Sequence, residues 1–197
     1  MLIHPELMLD DGYDVPNSGV FANEESDRMV RTFGTPTNQY IWTMSVFVKN
    51  ISGNTDSPTI FGNYGGSGSH GRVHFETNGQ LRFIEANPTT DINTLSTFRD
   101  TAQFLHVVVT YDRAQVVQAD RLQMFVNGVL QPVNQVNGIG TSDNGRINRA
   151  GTHYIGAKVT STGNFDGYMS ELHFVDGQRL TPEDFAQTDP RTGQWVA

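Results

Sequence analysis

The chain contains no cysteine, so neither a disulfide nor a thiolate metal site can contribute to its stability or chemistry. Its 197 residues are enough for one hydrophobic core without covalent cross-links. Charged residues are scarce, at 17%, and acids outnumber bases to give a formal net charge of -8. Because such a surface repels phosphate, nucleic acid is not an expected partner.

Long apolar runs are missing as well. No stretch of the sequence is long enough to cross a bilayer, so membrane insertion is not expected. Residues 1–6 lack the basic and apolar regions of a secretory signal. The sequence therefore predicts synthesis in the cytoplasm without a signal peptide, with any release occurring inside an assembly or by lysis.

Apolar and polar residues alternate with a period of two, and no long helical pattern occurs. Residues 40–49 alternate most clearly, which predicts that Tyr40, Trp42, Met44, Val46 and Val48 face the core while Phe47 covers the opposite face. Similar strands are predicted at residues 73–77, 81–86, 104–112, 121–126, 153–156 and 167–175. In residues 104–112 the more apolar row is Leu105, Val107, Val109 and Tyr111.

Turn signals separate these strands. Asn78-Gly79, Asn127-Gly128 and Asp176-Gly177 suit the positive φ angles of type I′ hairpin turns. The combination predicts an all-β protein with an antiparallel two-sheet sandwich. Loops are expected at residues 49–58, 62–71, 87–100, 134–150 and 160–164, and one short helix at residues 181–185, where Thr181 can cap and Pro182 suits the first position. Residues 1–17 are predicted to form an N-terminal arm that docks on a neighbour, and residues 18–197 a single domain.

Three segments resemble the concanavalin A-like, LamG-type jelly-roll domains. They are residues 40–49, of the form W-T-x-S-x-x-V-K; residues 104–112 followed by 122–128, similar to H-V-x-V-T-Y-D and then F-V-N-G; and residues 154–156 with 165–174. The resemblance implies the jelly-roll fold over most of the chain. It implies no single function, because this fold hosts lectins, hydrolases, adhesion modules and virion components.

The C-terminal region is similar to a narrower group, the LamG-like structural proteins of marine bacteriophage virions. Residues 165–185 carry the pattern G-Y-x-x-E-x-H-F-x-D-G-x-x-L-T-P-x-D-F, and Thr192-Gly193-Gln194-Trp195 follows it. This resemblance implies a non-enzymatic protein on the virion exterior, made in the host cytoplasm, that serves as capsid decoration or cement. Its partners would be other capsid or tail proteins and sister copies. The alternative is a tail-fibre or capsid adhesin that binds host glycans.

A polysaccharide hydrolase is the weaker alternative. Glycosidases of this fold place two carboxylates on one strand at the separation that acid and nucleophile require. Here Glu24-Glu25-Ser26-Asp27 is the nearest approach, but Val30 stands where the last carboxylate should be. Glu85 and Glu171 stand alone on their strands. The sequence therefore predicts no catalytic residue.

No metal site is predicted either. His70 and His74 enter a strand, where residues four apart lie about 13 Å from each other, so we expect surface histidines there, as at His106 and His173. The resemblance implies calcium as a candidate cofactor, and several loops carry possible oxygen donors, although no local group has enough of them. These donors are Asp10, Asp11, Asp14, Asn54, Asp56, Asp143 and Asn144.

Glycan recognition needs an aromatic face against a sugar ring and polar groups for its hydroxyls. Two segments of the chain combine aromatic rings, cations and amides in this way. They predict the candidate ligand-binding residues Tyr64, His70 and Arg72 in one loop region, and Asn148, Arg149 and His153 in another. The competing interpretation is that Tyr64 packs over a sheet edge and Arg72 is merely solvated.

Overall fold

The computed structural model describes residues 17–22, 27–52, 57–65, 69–86, 90–158 and 163–197. Within them the chain forms two large antiparallel sheets and a small C-terminal hairpin, which confirms the predicted all-β sandwich. The strands are β1 (Gly19–Phe21), β2 (Met29–Phe33), β3 (Ile41–Asn50), β4 (Thr59–Tyr64), β5 (His70–Phe75), β6 (Gln80–Glu85), β7 (Thr90–Thr97), β8 (Leu105–Asp112), β9 (Leu122–Val126), β10 (Val129–Leu130), β11 (Val133–Asn137), β12 (Gly151–Ile155), β13 (Gly167–Asp176), β14 (Gln187–Thr188) and β15 (Trp195–Val196).

One sheet has six strands in the order β1-β13-β3-β8-β9-β10, and the other has seven in the order β11-β7-β6-β5-β4-β12-β2. Short 3-10 helices occur at Gln118–Asp120 and Pro182–Asp184. The second is the predicted C-terminal helix, and Thr181 and Asp184 close it with a capping box. In the described part of the chain, no helix has the length and hydropathy needed to span a membrane.

The predicted inward rows form the core between the sheets. Trp42, Met44, Val46 and Val48 are fully buried, and so are Val107, Val109 and Tyr111 from the neighbouring strand. The Trp42 ring stacks on Tyr111, with centroids 5.3 Å apart, and also packs 6.2 Å from Phe83 of the opposite sheet. Burying each such ring contributes about 2 to 3 kcal/mol. Tyr40 differs from the prediction: it is only half-buried, with the Arg113 guanidinium 3.3 Å from its ring centroid.

Several strands had no counterpart in the predicted set. Strand β7 occupies most of the loop expected at residues 87–100, and β11 begins the loop expected at 134–150. Both segments were wrongly expected to be loops. In β7, Asp and Asn alternate with Ile92 and Thr94, and such polar residues are rare in strands, so the segment did not look like one. Strands β1, β2 and β4 were also missed. Strands β1 and β2 pair with strands distant in sequence, and β4 pairs with the distant β12 as well as with its neighbour β5.

The predicted arm lies almost entirely outside the described residues, which begin at Asn17. At the other end of the chain, the hairpin of β14 and β15 packs on the outer face of the six-stranded sheet. Its Trp195 indole Nε1 donates a hydrogen bond of 2.8 Å to His106 Nδ1. Gly128, in the Asn127-Gly128 turn with φ 76°, leaves room for this indole, since a Cβ there would lie 2.8 Å from Trp195 Cζ3.

Two histidines expected at the surface are buried, which corrects that expectation. His106 is 1% exposed, because the C-terminal hairpin covers the strand face that the sequence pattern leaves outward. His74 is fully buried, and its Nε2 lies 3.0 Å from Glu76 Oε1. Burial lowers the pKa of His74 to about 4 although Glu76 opposes that change. His173 is half-exposed, as expected, and contacts Glu171.

Candidate functional site

A cleft of about 420 Å³ opens where the two sheets separate, between the edge strand β2 and strand β13. We call it the aromatic cleft. It combines aromatic and aliphatic side chains with one guanidinium, one carboxylate, one amide and threonine hydroxyls. Its lining residues are Arg31, Thr32, Phe33, Gly34, Thr35, Pro36, Phe61, Asn148, His153, Ile155, Leu172, Phe174 and Asp176.

Four rings form the base of the aromatic cleft. His153 pairs with Arg31 of β2 and Asn63 of β4 in the strand register, which brings the rings of β2, β4 and β12 to one face. Phe33 stacks on His153 with centroids 4.0 Å apart and an interplanar angle of 20°. Phe174, from the opposite sheet, closes the group at 5.3 Å from Phe33 and 5.1 Å from Phe61.

The His153 ring is held rigidly by backbone carbonyls. Its Nδ1 lies 3.0 Å from the Gly151 carbonyl oxygen and its Nε2 lies 2.5 Å from that of Ile147. Burial lowers the pKa of His153, and the charge of Arg149 acts in the same direction, although the two carbonyls favour the protonated ring. His153 therefore presents a fixed aromatic surface to the base of the cleft.

Arg31 stands at the mouth of the cleft. Its guanidinium carbon lies 5.9 Å from the Phe33 ring centroid, a cation–π contact that holds the side chain over the aromatic base. Arg31 lies on an edge strand and is exposed. This arrangement offers hydrogen-bond donors beside an apolar ring surface.

The opposite wall is built around Asp176. Its carboxylate accepts hydrogen bonds from the backbone of Thr37 at 2.5 Å and Asn38 at 3.2 Å, and from Asn148 Nδ2 at 2.7 Å. Asn148 Nδ2 also donates to the Asn38 carbonyl at 3.0 Å. Burial raises the pKa of the Asp176 carboxyl, but these hydrogen bonds outweigh it and the net pKa is lowered. Asp176 and Asn148 therefore fix the 34–38 segment that borders the cleft.

Glu85 anchors the loop that carries Asn148. It is 2% exposed and accepts hydrogen bonds from the backbone N–H of Arg146 at 2.5 Å and of Ile147 at 3.1 Å. Burial raises the pKa of Glu85 to about 7, and the two backbone bonds only partly oppose it. Gln39 binds the same loop through the carbonyls of Asn144 and Gly145.

The six residues predicted to bind a glycan separate into two places. Asn148 and His153, which are 2% and 1% exposed, line the aromatic cleft. Tyr64, His70 and Arg72 lie together on the outer face of the seven-stranded sheet, where the Tyr64 and His70 rings stack with centroids 6.1 Å apart. Arg149 joins this second group, because its Nη1 lies 3.3 Å from Ser69 Oγ.

The sequence interpretation missed Arg31, Phe33, Phe61, Phe174 and Asp176. Residues 29–33 gave little signal, because Met-Val-Arg-Thr-Phe does not alternate apolar and polar residues. Phe61 follows a proline-containing loop. Phe174 belongs to a strand that was predicted, but the sequence did not indicate that this strand lines a cleft. The register that unites them comes from pairing between β12, β2 and β4, which the sequence does not specify.

Of the acidic residues considered for catalysis or calcium, those that the structure describes lie apart from one another. Glu24 and Glu25 lie outside the described residues, as do Asp10, Asp11, Asp14, Asn54 and Asp56. Glu85 faces the core, and Glu171 binds His173 at 3.2 Å. Asp143 Oδ2 accepts from the Gly140 backbone at 2.6 Å. Across the ranges that the structure describes, no three His, Asp or Glu side chains form a group able to hold a metal ion.

Similarity to known proteins agrees with this architecture. A family model described as the concanavalin A-like lectin/glucanases superfamily matches residues 25–185. Solved structures with the same fold include domain 4 of the extracellular GH43 arabinanase AbnA from Geobacillus stearothermophilus, in complex with arabinotriose. It is 18% identical with a TM-score of 0.58, covering 86% of this chain and 76% of that one.

Two further structures extend the comparison. The CBM40 of the Ruminococcus gnavus IT-sialidase is 13% identical with a TM-score of 0.55, covering 81% of this chain and 96% of that one. Domains LG4-5 of the mouse laminin alpha1 chain are 13% identical with a TM-score of 0.58, covering 88% of this chain and 46% of that one. At these identities the likeness establishes the fold alone. No curated protein is significantly similar to the chain.

Proposed function

The chain belongs to the concanavalin A-like lectin/glucanases superfamily, and on that premise we propose that it is a non-enzymatic glycan-binding protein displayed on the exterior of a bacteriophage virion. The fold is related to carbohydrate-binding modules and lectins. The aromatic cleft is the single observation that carries the glycan-binding part of the proposal.

The shape and chemistry of the aromatic cleft suit a sugar ring. Its volume falls within the roughly 300–1,000 Å³ typical of small-ligand sites. The apolar face of a pyranose can lie against Phe33 and Phe174, while the Arg31 guanidinium and the Thr35 hydroxyl bond the ring hydroxyls at the mouth. Asn148 and Asp176 act as positioning residues, since their polar atoms are already used to fix the cleft wall.

The same cleft supports a binding role over hydrolysis. A glycosidase needs two carboxyls facing the scissile bond, about 5 to 10 Å apart. The carboxylate that lines the cleft, Asp176, is bonded to three neighbouring groups and has a lowered pKa. A general acid needs the opposite change in pKa. Incubation with laminarin and related β-glucans is therefore expected to release no reducing ends.

A glycan array with a multivalent display of the chain tests the proposal. Arg31→Ala is expected to weaken binding to the best glycan about tenfold, the usual loss for one charged hydrogen bond. Arg99→Ala provides the matched control, because Arg99 is an exposed arginine that bonds Asn78 in a turn at the other side of the seven-stranded sheet. Absence of glycan binding, or equal losses in the two variants, would rule out the cleft as the site.

The virion location rests on the C-terminal pattern of residues 165–185 and the following T-G-x-W segment. Its expected partners are other capsid or tail proteins and sister copies, with capsid decoration as the leading role and a tail-fibre or capsid adhesin as the alternative. Mass spectrometry of purified particles and imaging with a labelled antibody test this location. Deleting residues 1–14 is expected to leave a folded domain that no longer docks on particles, whereas retained docking would contradict a role for the arm.

Calcium stays a candidate cofactor of the proposed protein. A site would need oxygen donors from two converging loops. Our proposal requires no metal for glycan binding, so chelation with EDTA is expected to leave both the melting temperature and the array profile unchanged. A melting temperature that rises on addition of calcium would replace this expectation with a metal-supported site.

A further inference from the structure

The edge of the sandwich opposite the aromatic cleft carries no charge along its two outermost strands. Strand β10 ends the six-stranded sheet and β11 ends the seven-stranded sheet, and only Gln131 and Pro132 separate them in sequence, so both lie at the same edge. Residues 122–142, which include both strands, contain no Asp, Glu, Lys, Arg or His, the longest such run in the chain. We call the outer surface of β10 and β11, together with Leu95 and residues 116–117, the uncharged edge.

Exposed apolar side chains are concentrated on the uncharged edge. In the described residues, it holds six of the eleven large apolar side chains that are exposed. Their exposed fractions range from 50% to 94%. Together they present on the order of several hundred Å² of apolar surface, an extent that marks an interaction site on a soluble protein. These side chains are Leu95, Val116, Val117, Val129, Leu130 and Val136.

Hydrogen bonds bring the outlying members of this set to the same edge. The Leu95 N–H donates to the Pro132 carbonyl at 2.8 Å, which places Leu95 beside the connection between β10 and β11. The Arg121 guanidinium donates to the carbonyls of Ile139 at 2.8 Å and Val116 at 3.4 Å. Val116 therefore lies near the residues that follow β11, and the apolar surface continues along the edge.

Val136 projects from the middle of the uncharged edge. The register between β11 and β7 shifts between Gln135 and Asn137, so Val136 is the extra residue of a β-bulge. Its exposed fraction is 60%. A bulge and a proline both interrupt the hydrogen-bonding edge of a strand, and here the proline is Pro132. A partner is therefore expected to contact this edge through side chains rather than by adding a strand.

A second copy of the chain is the partner that this surface fits. Two copies each carry a net charge of -8, so contact through their charged surfaces is opposed by repulsion. Contact through β10 and β11 avoids that repulsion. A partner of opposite charge would instead be attracted to acidic side chains, which residues 122–142 lack. A twofold axis brings the same apolar surface of both copies together without pairing like charges on these strands.

We propose that the uncharged edge is the contact between two copies of the chain in a twofold dimer, with Val129, Leu130 and Val136 of each copy packed against the other. The aromatic cleft borders β2, at the other end of the seven-stranded sheet, so both clefts stay open in this dimer. Two open clefts raise the avidity for a surface that carries many glycans. The contact between copies goes beyond the proposed function, and only its benefit for avidity rests on that function.

Sedimentation equilibrium of the full chain at increasing concentration tests the contact. The mass is expected to rise from one chain to two, with a Kd between about 1 μM and 1 mM. Val136→Glu places a carboxylate on each side of the contact and is expected to weaken the dimer about tenfold or more. The matched control is Val20→Glu, because Val20 is a 65% exposed valine on β1, at the opposite edge. It should change the Kd less than about twofold.

Disulfide trapping gives a second measurement, because the chain contains no cysteine of its own. Under mild oxidation, Val136→Cys is expected to form a covalent dimer faster than Val20→Cys, and melting curves check that each variant is folded. A mass of one chain up to about 1 mM would overturn the inference, as would equal effects of the substitutions at the two valines. Glycan binding by a single chain is tested separately with Arg31→Ala, so failure of the dimer leaves the proposal for the cleft in place.

Discussion

Two clusters in this molecule stack a histidine against a phenylalanine, and they differ in what lies over them. On the outer face of the six-stranded sheet, His106 stacks on Phe47 with centroids 4.3 Å apart, and Trp195 of the same chain covers the pair at 6.0 Å. In the aromatic cleft, His153 stacks on Phe33 at 4.0 Å, and a space of about 420 Å³ remains beside them.

The contrast separates a covered cluster from one that borders an open cleft. The His106 ring uses both nitrogens within the chain, since Nδ1 accepts from Trp195 and Nε2 donates to Ser45 Oγ at 2.7 Å. Both His153 nitrogens face backbone carbonyl oxygens instead, those of Gly151 and Ile147. His153 is 1% exposed and stacks on both Phe33 and Phe61, so the opening lies beside this group of rings rather than over the imidazole. Three predictions follow from this comparison, in order of decreasing size.

The largest loss of stability is expected when the Trp195 side chain is removed from the His106 ring. Trp195→Ala should lower the free energy of unfolding by about 3 kcal/mol, because it exposes His106 and Phe47 and breaks a partly buried hydrogen bond. Trp195→Phe keeps most of the stacking area and should cost about 1 kcal/mol. Urea unfolding followed by circular dichroism measures both values. A loss below about 1 kcal/mol for Trp195→Ala would mean that the hairpin does not stabilise the sheet.

The second largest loss of stability is expected on acidification, which should destabilise the His106 cluster. Burial and the charge of His173 lower the pKa of His106 to about 4, against an ordinary value of 6.5. The unfolded chain therefore binds more protons than the folded chain between pH 6.5 and 4. The stabilising contribution of neutral His106 is complete above pH 6.5 and is lost as the pH falls to about 4.

Comparison with His106→Gln isolates this effect, because glutamine does not titrate. Between pH 7 and pH 4, the wild-type chain is expected to lose about 2 kcal/mol more than the variant. The variant comparison is necessary because Glu85 acts in the opposite direction. Its pKa is raised to about 7, so its contribution is present below its unfolded value of 4.5 and declines as the pH rises through 7. Parallel stability curves for the two proteins would contradict the assignment to His106.

The smallest effect on stability is expected at the cleft wall. Asp176→Ala should lower the free energy of unfolding by about 1 to 2 kcal/mol, since the backbone of Thr37 and Asn38 loses a partly exposed acceptor. Glycan affinity should also fall, even under conditions where the variant is fully folded, because the 34–38 segment borders the opening of the cleft. Asp176→Asn retains one acceptor oxygen and should preserve more of both properties. Unchanged glycan affinity in Asp176→Ala would show that this wall does not shape the site.

Individual residues show how far the sequence analysis reached into the fold and the site. Trp42 and Phe47 were assigned to opposite faces of β3 from alternation alone, and both assignments are confirmed. Strand β7 was predicted as a loop because its Asp and Asn residues weaken the pattern. Tyr64, His70 and Arg72 were expected in one loop region, whereas Tyr64 ends β4 and the other two belong to β5, its partner in a hairpin. Their binding of a glycan, and that of Asn148, Arg149 and His153, stays a prediction.

The sequence by itself determined the all-β sandwich and which side of its central strands faces inward, because alternation and turn residues act over a few neighbouring positions. Only the tertiary structure decided which outward side chains are covered and which remain open. His106 and His153 both lie on strands with apolar neighbours, yet Trp195 closes one cluster from 89 residues away and the edge strand β2 leaves the other accessible. The physical reason is that pairing between distant strands and docking of the C-terminal hairpin depend on the assembled core, and no local pattern encodes either one.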